Sequence, residues 1–151
     1  MPDTPMFTGA LQFLSNFDTT PFVVRQLGVQ PVASGEHAFN ALKTLDPAQR
    51  AHVLAAASPG AAKKRGRAVT LRPDWDTGAR VLAMQQVLQA KFAPSTELAR
   101  RLVSTNDELL VETNYWHDQF WGDCHCPRHA QIAGTNMLGQ LLMAIRCHRA
   151  R

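Results

Sequence analysis

Apolar residues recur along most of this chain at helical spacing, and the exceptions gather near its start. The segment from Phe7 to Phe17 mixes aromatics with Gly9 and Ser15-Asn16, which predicts a short strand running into a loop. After Pro21, the alternation Phe22-Val23-Val24-Arg25 and the run from Val29 to Val32 flank Gln26-Leu27-Gly28, predicting a small hairpin that turns at Gly28. From Ser34 the period lengthens. Ser34 reads as the N-cap of a helix that stops before Asp46-Pro47, because proline disfavours helical backbone in the residue before it. Asp46-Pro47 then caps a second helix through Ala57, and Ser58-Pro59-Gly60 ends that helix and begins a third. A longer helix follows from about Thr77 to Phe92, with Val81, Leu82, Met84, Leu88 and Phe92 as its core face. Pro94-Ser95 opens another through about Val103, and Glu108 to Thr113 reads as either a short strand or a helical turn. The last helix begins near Thr135-Asn136 and buries Leu138, Leu141, Leu142 and Ile145. These elements predict an α+β fold, a mostly helical single domain over residues 1–151 with a small N-terminal β-hairpin.

The helix opened by Ser34 carries the most informative polar pattern. At about 100° per residue, Glu36, Asn40 and Lys43 fall within roughly 60° of arc. Their neighbours Ala38, Phe39, Leu42 and Leu45 are apolar, so the helix is packed and still presents a narrow polar stripe. By itself that stripe reads first as a solvated Glu/Lys pair; read with the basic cluster and the tryptophan loops described below, it becomes the floor of a pocket.

Composition narrows the classes. With 151 residues, 45% of them hydrophobic and 19% charged, the chain suits one soluble globular domain. A formal net charge of +4 permits an anionic partner without requiring one. The N-terminus Met1-Pro2-Asp3-Thr4-Pro5 has no basic region followed by an apolar run, and no window approaches a membrane span, so a cytoplasmic protein is expected. Three cysteines, Cys124, Cys126 and Cys147, are too few for a disulfide scaffold.

Further groups concentrate chemistry. Lys63-Lys64-Arg65-Gly66-Arg67 places four cations within five residues, either a solvated helix end or an anion site with Gly66 allowing close approach. Arg72-Pro73-Asp74-Trp75-Asp76 offers an indole as a core plug or a stacking surface. Tyr115 to Gly122 crowds aromatics around His117 and Asp118 in a stretch of weak helical or strand signal. Gly134-Thr135-Asn136-Met137-Leu138-Gly139 sets a glycine-flanked helix N-terminus where free backbone donors would suit an oxygen anion. Cys124-His125-Cys126 and His129 supply up to four zinc-type ligands, but neighbours in Cys-His-Cys point apart and no CxxC pair lies elsewhere, so no metal and no cofactor is expected.

Taken in order, these motifs resemble the NADAR family from about Phe13 to Arg146. They are Leu14-Ser15-Asn16-Phe17; Glu36-His37 with Lys43; Ala62-Lys63 with Gly66-Arg67; Arg72 to Asp76; Lys91-Phe92; Leu110-Val111-Glu112; Asp118 with Phe120-Trp121-Gly122; and Gly134, Asn136, Leu138-Gly139, Leu142-Met143 and Arg146. The resemblance implies an N-glycosidase that cuts between a ribose C1′ and an exocyclic amine. Its substrate would be a ribosylamino-pyrimidine phosphate of riboflavin synthesis, or guanine in DNA carrying ADP-ribose. It implies Glu36, Lys43 and Asp118 as catalytic residues, and Asn16, Phe17, Lys63, Arg67, Trp75, Trp121 and Asn136 around the substrate. The rival reading is a non-catalytic ADP-ribose or nucleotide-binding module. Two features depart from the family pattern: Asn40 stands where many relatives have Gln, and the segment from Asp123 to Ala133 replaces a simpler loop.

Overall fold

The computed structural model describes residues 7–151. Its regular elements are α1 (Gly35–Ala41), α2 (Pro47–Leu54), α3 (Pro59–Gly66), α4 (Ala79–Lys91), α5 (Glu97–Val103), β1 (Thr113–Asn114), β2 (Asp123–Cys124) and α6 (Met137–Arg149). The chain groups into two compact units, Asn16–Lys91 with α1 to α4, and residues 7–15 with Phe92–Arg151, which hold α5, β1, β2 and α6. About half helical with a small two-stranded sheet, the fold class is α+β.

In the unit Asn16–Lys91, local capping sets the helix starts. The Ser34 hydroxyl accepts from the His37 amide, the Asp46 carboxylate from Ala48 and Gln49, and the Ser58 hydroxyl from Ala61; proline occupies the first turn of α2 and α3. Each such cap is worth about 1 kcal/mol. Small residues, Ala41, Ala56 and Ala62 with Val53, let α1, α2 and α3 approach closely. His37 locks this corner: its Nδ1 lies 2.7 Å from Ser34 Oγ, and its Nε2 donates to the Ala56 carbonyl at 2.9 Å. On α4 the buried face is Ala79, Ala83, Met84, Val87, Leu88 and Lys91. Leu82, expected on the core face, is 53% exposed, because it falls on the far side of that stripe.

Two expectations for the N-terminal region are corrected. Residues Gly9–Leu14 form a 3-10 helix, with Phe13 and Leu14 buried, where a strand was expected. The hairpin reduces to one antiparallel bridge, Phe22 with Val32, held by amide-to-carbonyl bonds of 3.3 and 2.8 Å. Pro21 and Pro31 flank that bridge and carry no N–H to extend a ladder. Arg25–Leu27 instead curls into a 3-10 turn ending at Gly28, whose φ of 122° favours glycine.

In the other unit, Phe13 meets Phe92 edge to face at 6.3 Å, and Leu98, Leu102, Leu110, Leu138, Leu142 and Ile145 are buried. The sheet lies here. β1 and β2 pair in parallel, Thr113 with Asp123 and Asn114 with Cys124, so the stretch from Glu108 ends in a strand. α6 begins after Asn136, held at φ 52°, a left-handed conformation that asparagine tolerates.

Candidate active site

α1 carries the acid and the amide; the amine, Lys43, stands in the turn just after it, because the helix expected to run to Asp46 ends at Ala41. Asn40 is fully buried, and its Nδ2 donates to the Glu36 carboxylate at 3.0 Å and to the Glu36 carbonyl at 2.8 Å. The shorter amide therefore still grips the acid directly, one helical turn away. Gly66 explains how α3 packs so near: a Cβ there would collide with the Asn40 amide. The close approach foreseen at Gly66 is thus to α1. At the start of α1, the Asn16 carbonyl accepts the Glu36 amide at 2.9 Å, while the Asn16 side chain is buried and donates to Met84 Sδ at 3.4 Å.

Glu36 and Lys43 are both shifted toward neutrality. Burial pushes the Glu36 carboxyl above its usual range, against the Asn40 hydrogen bond and the cations of Lys63 and Lys43. Burial lowers the Lys43 ammonium; Glu36 opposes that effect, and Arg67 and Lys63 add to it. Lys43 Nζ lies 5.7 Å from the centre of the Phe39 ring, and Lys63 Nζ 5.9 Å from that of Phe17. Trp75 is buried under this arrangement, packed on Phe39 at 5.3 Å, so it supports the ring that carries Lys43. Arg67 is exposed at the end of α3, and Arg65 is tied back to α2 through the His52 carbonyl at 2.6 Å. Lys43 is within electrostatic reach of Glu36, Arg67 and Lys63, and Glu36 of Lys63. A groove of about 620 Å³ between α2 and α3 is lined by Gln49, His52, Lys64 and Arg65 and includes neither Glu36 nor Lys43.

The other expected residues lie in the second unit. Asp118 Oδ1 accepts the amides of Phe120 at 3.1 Å and Trp121 at 2.8 Å, shaping the turn that carries both rings. Trp121 meets Phe120 edge to face at 4.8 Å. The Asn136 amide joins two chain segments, accepting from Glu112 at 3.0 Å and donating to the Leu110 carbonyl at 2.8 Å. The anion site expected at the start of α6 is not available through its backbone: the amides of Asn136, Met137 and Leu138 donate to the carbonyls of Gly122, Phe120 and Trp121.

Lys91, read in the sequence only as part of the Lys91-Phe92 motif, is a buried cation. Lys91 is 1% exposed, and burial pushes its ammonium down to about 8 against the pull of Asp18. Its position four residues after Val87 on an apolar helix face was the available signal.

A carboxyl on α1 and an amine in the turn after it, both shifted by burial, thus lie near the cations of Lys63 and, for Lys43, of Arg67. A family model described as the NADAR domain matches residues 6–148, and the chain belongs to that family. Over 119 residues it is 39% identical to the protein named N-glycosidase Npun_R5314 of Nostoc punctiforme, a match spanning 76% of this chain and 72% of that one. It is 36% identical over 115 residues to N-glycosidase YbiA of Escherichia coli, spanning 75% of this chain and 68% of that one. It is also 34% identical over 115 residues to the riboflavin biosynthesis protein VVA0006 of Vibrio vulnificus, where the match covers 75% of this chain and 29% of that protein. The NMR structure of E. coli YbiA is similar with a TM-score of 0.79 and 31% identity, over 99% of this chain and 87% of that one.

Proposed function

We propose that this protein is an N-glycosidase that hydrolyses the bond between C1′ of a phosphorylated ribose and an exocyclic amine of a flat base. The observation that carries the reading is the opposed pair on α1 and the turn after it, a carboxyl raised by burial and an amine lowered by it. A protonated acid and a neutral amine are the forms that proton donation and nucleophilic attack require. The N-glycosidase names of the relatives support the same reaction.

In the proposed sequence, Glu36 gives its proton to the ribose ring oxygen as the C1′–O bond opens, leaving an iminium between C1′ and the amine. The neutral Lys43 amine adds to C1′, and a proton moves from Lys43 nitrogen to the departing amine. The bond from C1′ to that amine then breaks, leaving an iminium to Lys43. Water adds to this carbon, Lys43 leaves, and the sugar closes again while Glu36 recovers a proton. Lys63 and Arg67 hold the phosphate as charge-assisted donors, and Phe17 lies beside Lys63. Asp118, Trp121, Asn16, Trp75 and Asn136 set the shape of their own segments through the bonds described above.

The relative named for riboflavin biosynthesis supports a free ribosylamino-pyrimidine phosphate as substrate. Purified protein offered that compound and, separately, DNA with ADP-ribosylated guanine is expected to release base and sugar phosphate from the first. Release only from the DNA would move the substrate to the second class. Turnover of neither, with tight ADP-ribose binding, would replace the enzyme by a binding module.

A further inference from the structure

We propose that His117, Cys124, Cys126 and His129 bind a structural zinc ion. The ligand atoms of these four side chains all lie within 4.8 Å of one another. Cys126 Sγ stands 3.2 Å from Nδ1 of both His117 and His129. A tetrahedral zinc with Zn–S near 2.3 Å and Zn–N near 2.0–2.1 Å separates its ligand atoms by about 3.3–3.8 Å, so the cluster is within about an ångström of that geometry. Two thiolates and two imidazoles make a closed set with no position left for substrate, which is a structural site. Soft and borderline donors of this kind select zinc over magnesium or calcium.

The local chain accounts for the convergence. The reading that Cys124-His125-Cys126 must splay apart holds only for neighbours. In extended chain, residues two apart face the same side, so Cys124 and Cys126 share one face, and His125 turns out to meet Asp123 at 3.0 Å. Pro127–His129 forms a 3-10 turn that brings His129 back toward Cys126. His117 enters with φ 72°, a conformation that costs a non-glycine residue, and its amide lies 3.3 Å from Cys124 Sγ. The rings of His117 and His129 stand 5.4 Å apart. Both cysteines are buried, at 1% and 6% exposure.

The segment from Asn114 to Gly134 has little regular structure, so a metal cross-link would supply order that apolar packing does not. On binding, zinc takes the place of the two thiol protons, which pass to solvent, and the site with two neutral imidazoles stays uncharged.

The competing account is a thiol–imidazole hydrogen-bonded cluster without metal. Full-length protein, purified under reductant from zinc-supplemented cells, is expected to carry about one zinc per chain by elemental analysis. After chelation, the same protein titrated with cobalt(II) is expected to show the absorption of tetrahedral cobalt with thiolate ligands, displaced by zinc. Cys126→Ser and His117→Asn should lose that absorption, whereas Cys147→Ser, in α6, should retain it. Wild-type protein that retains no zinc and gives no thiolate–cobalt absorption overturns the proposal. So does metal binding that survives in both Cys126→Ser and His117→Asn. The wild-type titration decides the matter even if a variant does not fold.

Discussion

Two regions of this protein gather polar, ionisable side chains at short range, and they do so by contrasting means. Helix geometry brings Glu36 and Asn40 together on α1, the turn that follows adds Lys43, and burial shifts the acid and the amine. Around Cys126, the side chains arrive from residues 117 to 129 through a left-handed residue, an extended Cys-x-Cys and a 3-10 turn. The first arrangement survives small changes elsewhere because its spacing is intrinsic to a helix and the turn that ends it. The second exists only once the backbone closes. One consequence is that disturbance of the first should appear as lost chemistry, and disturbance of the second as lost stability.

The largest expected effects fall on α1 and the turn after it. Lys43→Ala and Glu36→Gln should each lower turnover by about 10²–10⁴-fold while leaving the thermal midpoint within a few degrees, measured by single-turnover assay and calorimetry. A large loss of stability with little loss of rate in these variants would erase the contrast between the regions.

Lys91 separates burial from chemistry within the same unit. Its folded value, about 8, lies below the ordinary 10.5, so the unfolded chain binds more protons between those pH values and stability rises with pH there. The contribution is absent below about pH 8 and complete above about 10.5, amounting to about 3 kcal/mol. Wild type compared with Lys91→Met across pH 7 to 11 by urea unfolding should show this slope in wild type alone. Parallel curves would mean that Lys91 is not shifted by burial.

Glycine substitutions give a smaller and sharper contrast. A Cβ at Gly134 would meet backbone at Gly122 and Asp123, which cannot swing aside, so Gly134→Ala should cost about 2–3 kcal/mol. A Cβ at Gly66 would meet the Asn40 amide and also Asn40 Cβ, which the α1 backbone fixes, so α1 and α3 would have to part and the grip on Glu36 would loosen. Gly66→Ala should therefore also cost about 2–3 kcal/mol, and should lower turnover more than Gly134→Ala does. Denaturant midpoints and rates measured side by side check the order.

Much of the first region was legible in the sequence, because caps and helical spacing are local. Ser34, Asp46-Pro47 and Ser58-Pro59 each start a helix where expected; of the expected stripe, Glu36 and Asn40 share α1, and Lys43 follows in the turn because the helix stops at Ala41. The hairpin failed because alternation over four residues does not outweigh Pro21 and Pro31, which remove the donors a ladder needs. The Cys126 cluster was misjudged because His117, not His125, completes it, and nothing in the spacing says that residue 117 folds back seven positions to reach Cys124. The start of α6 was misjudged for a related reason: the carbonyls that take its amides come from Phe120 to Gly122, a partner no local pattern reveals.

The central claim is that the Lys43 amine attacks the sugar carbon. Borohydride added during turnover, followed by peptide mass analysis, tests it most directly. The account predicts a reduced sugar adduct on the peptide containing Lys43, absent in Lys43→Ala. Continued hydrolysis with no adduct would contradict it and leave water as the nucleophile, with Lys43 acting through its charge.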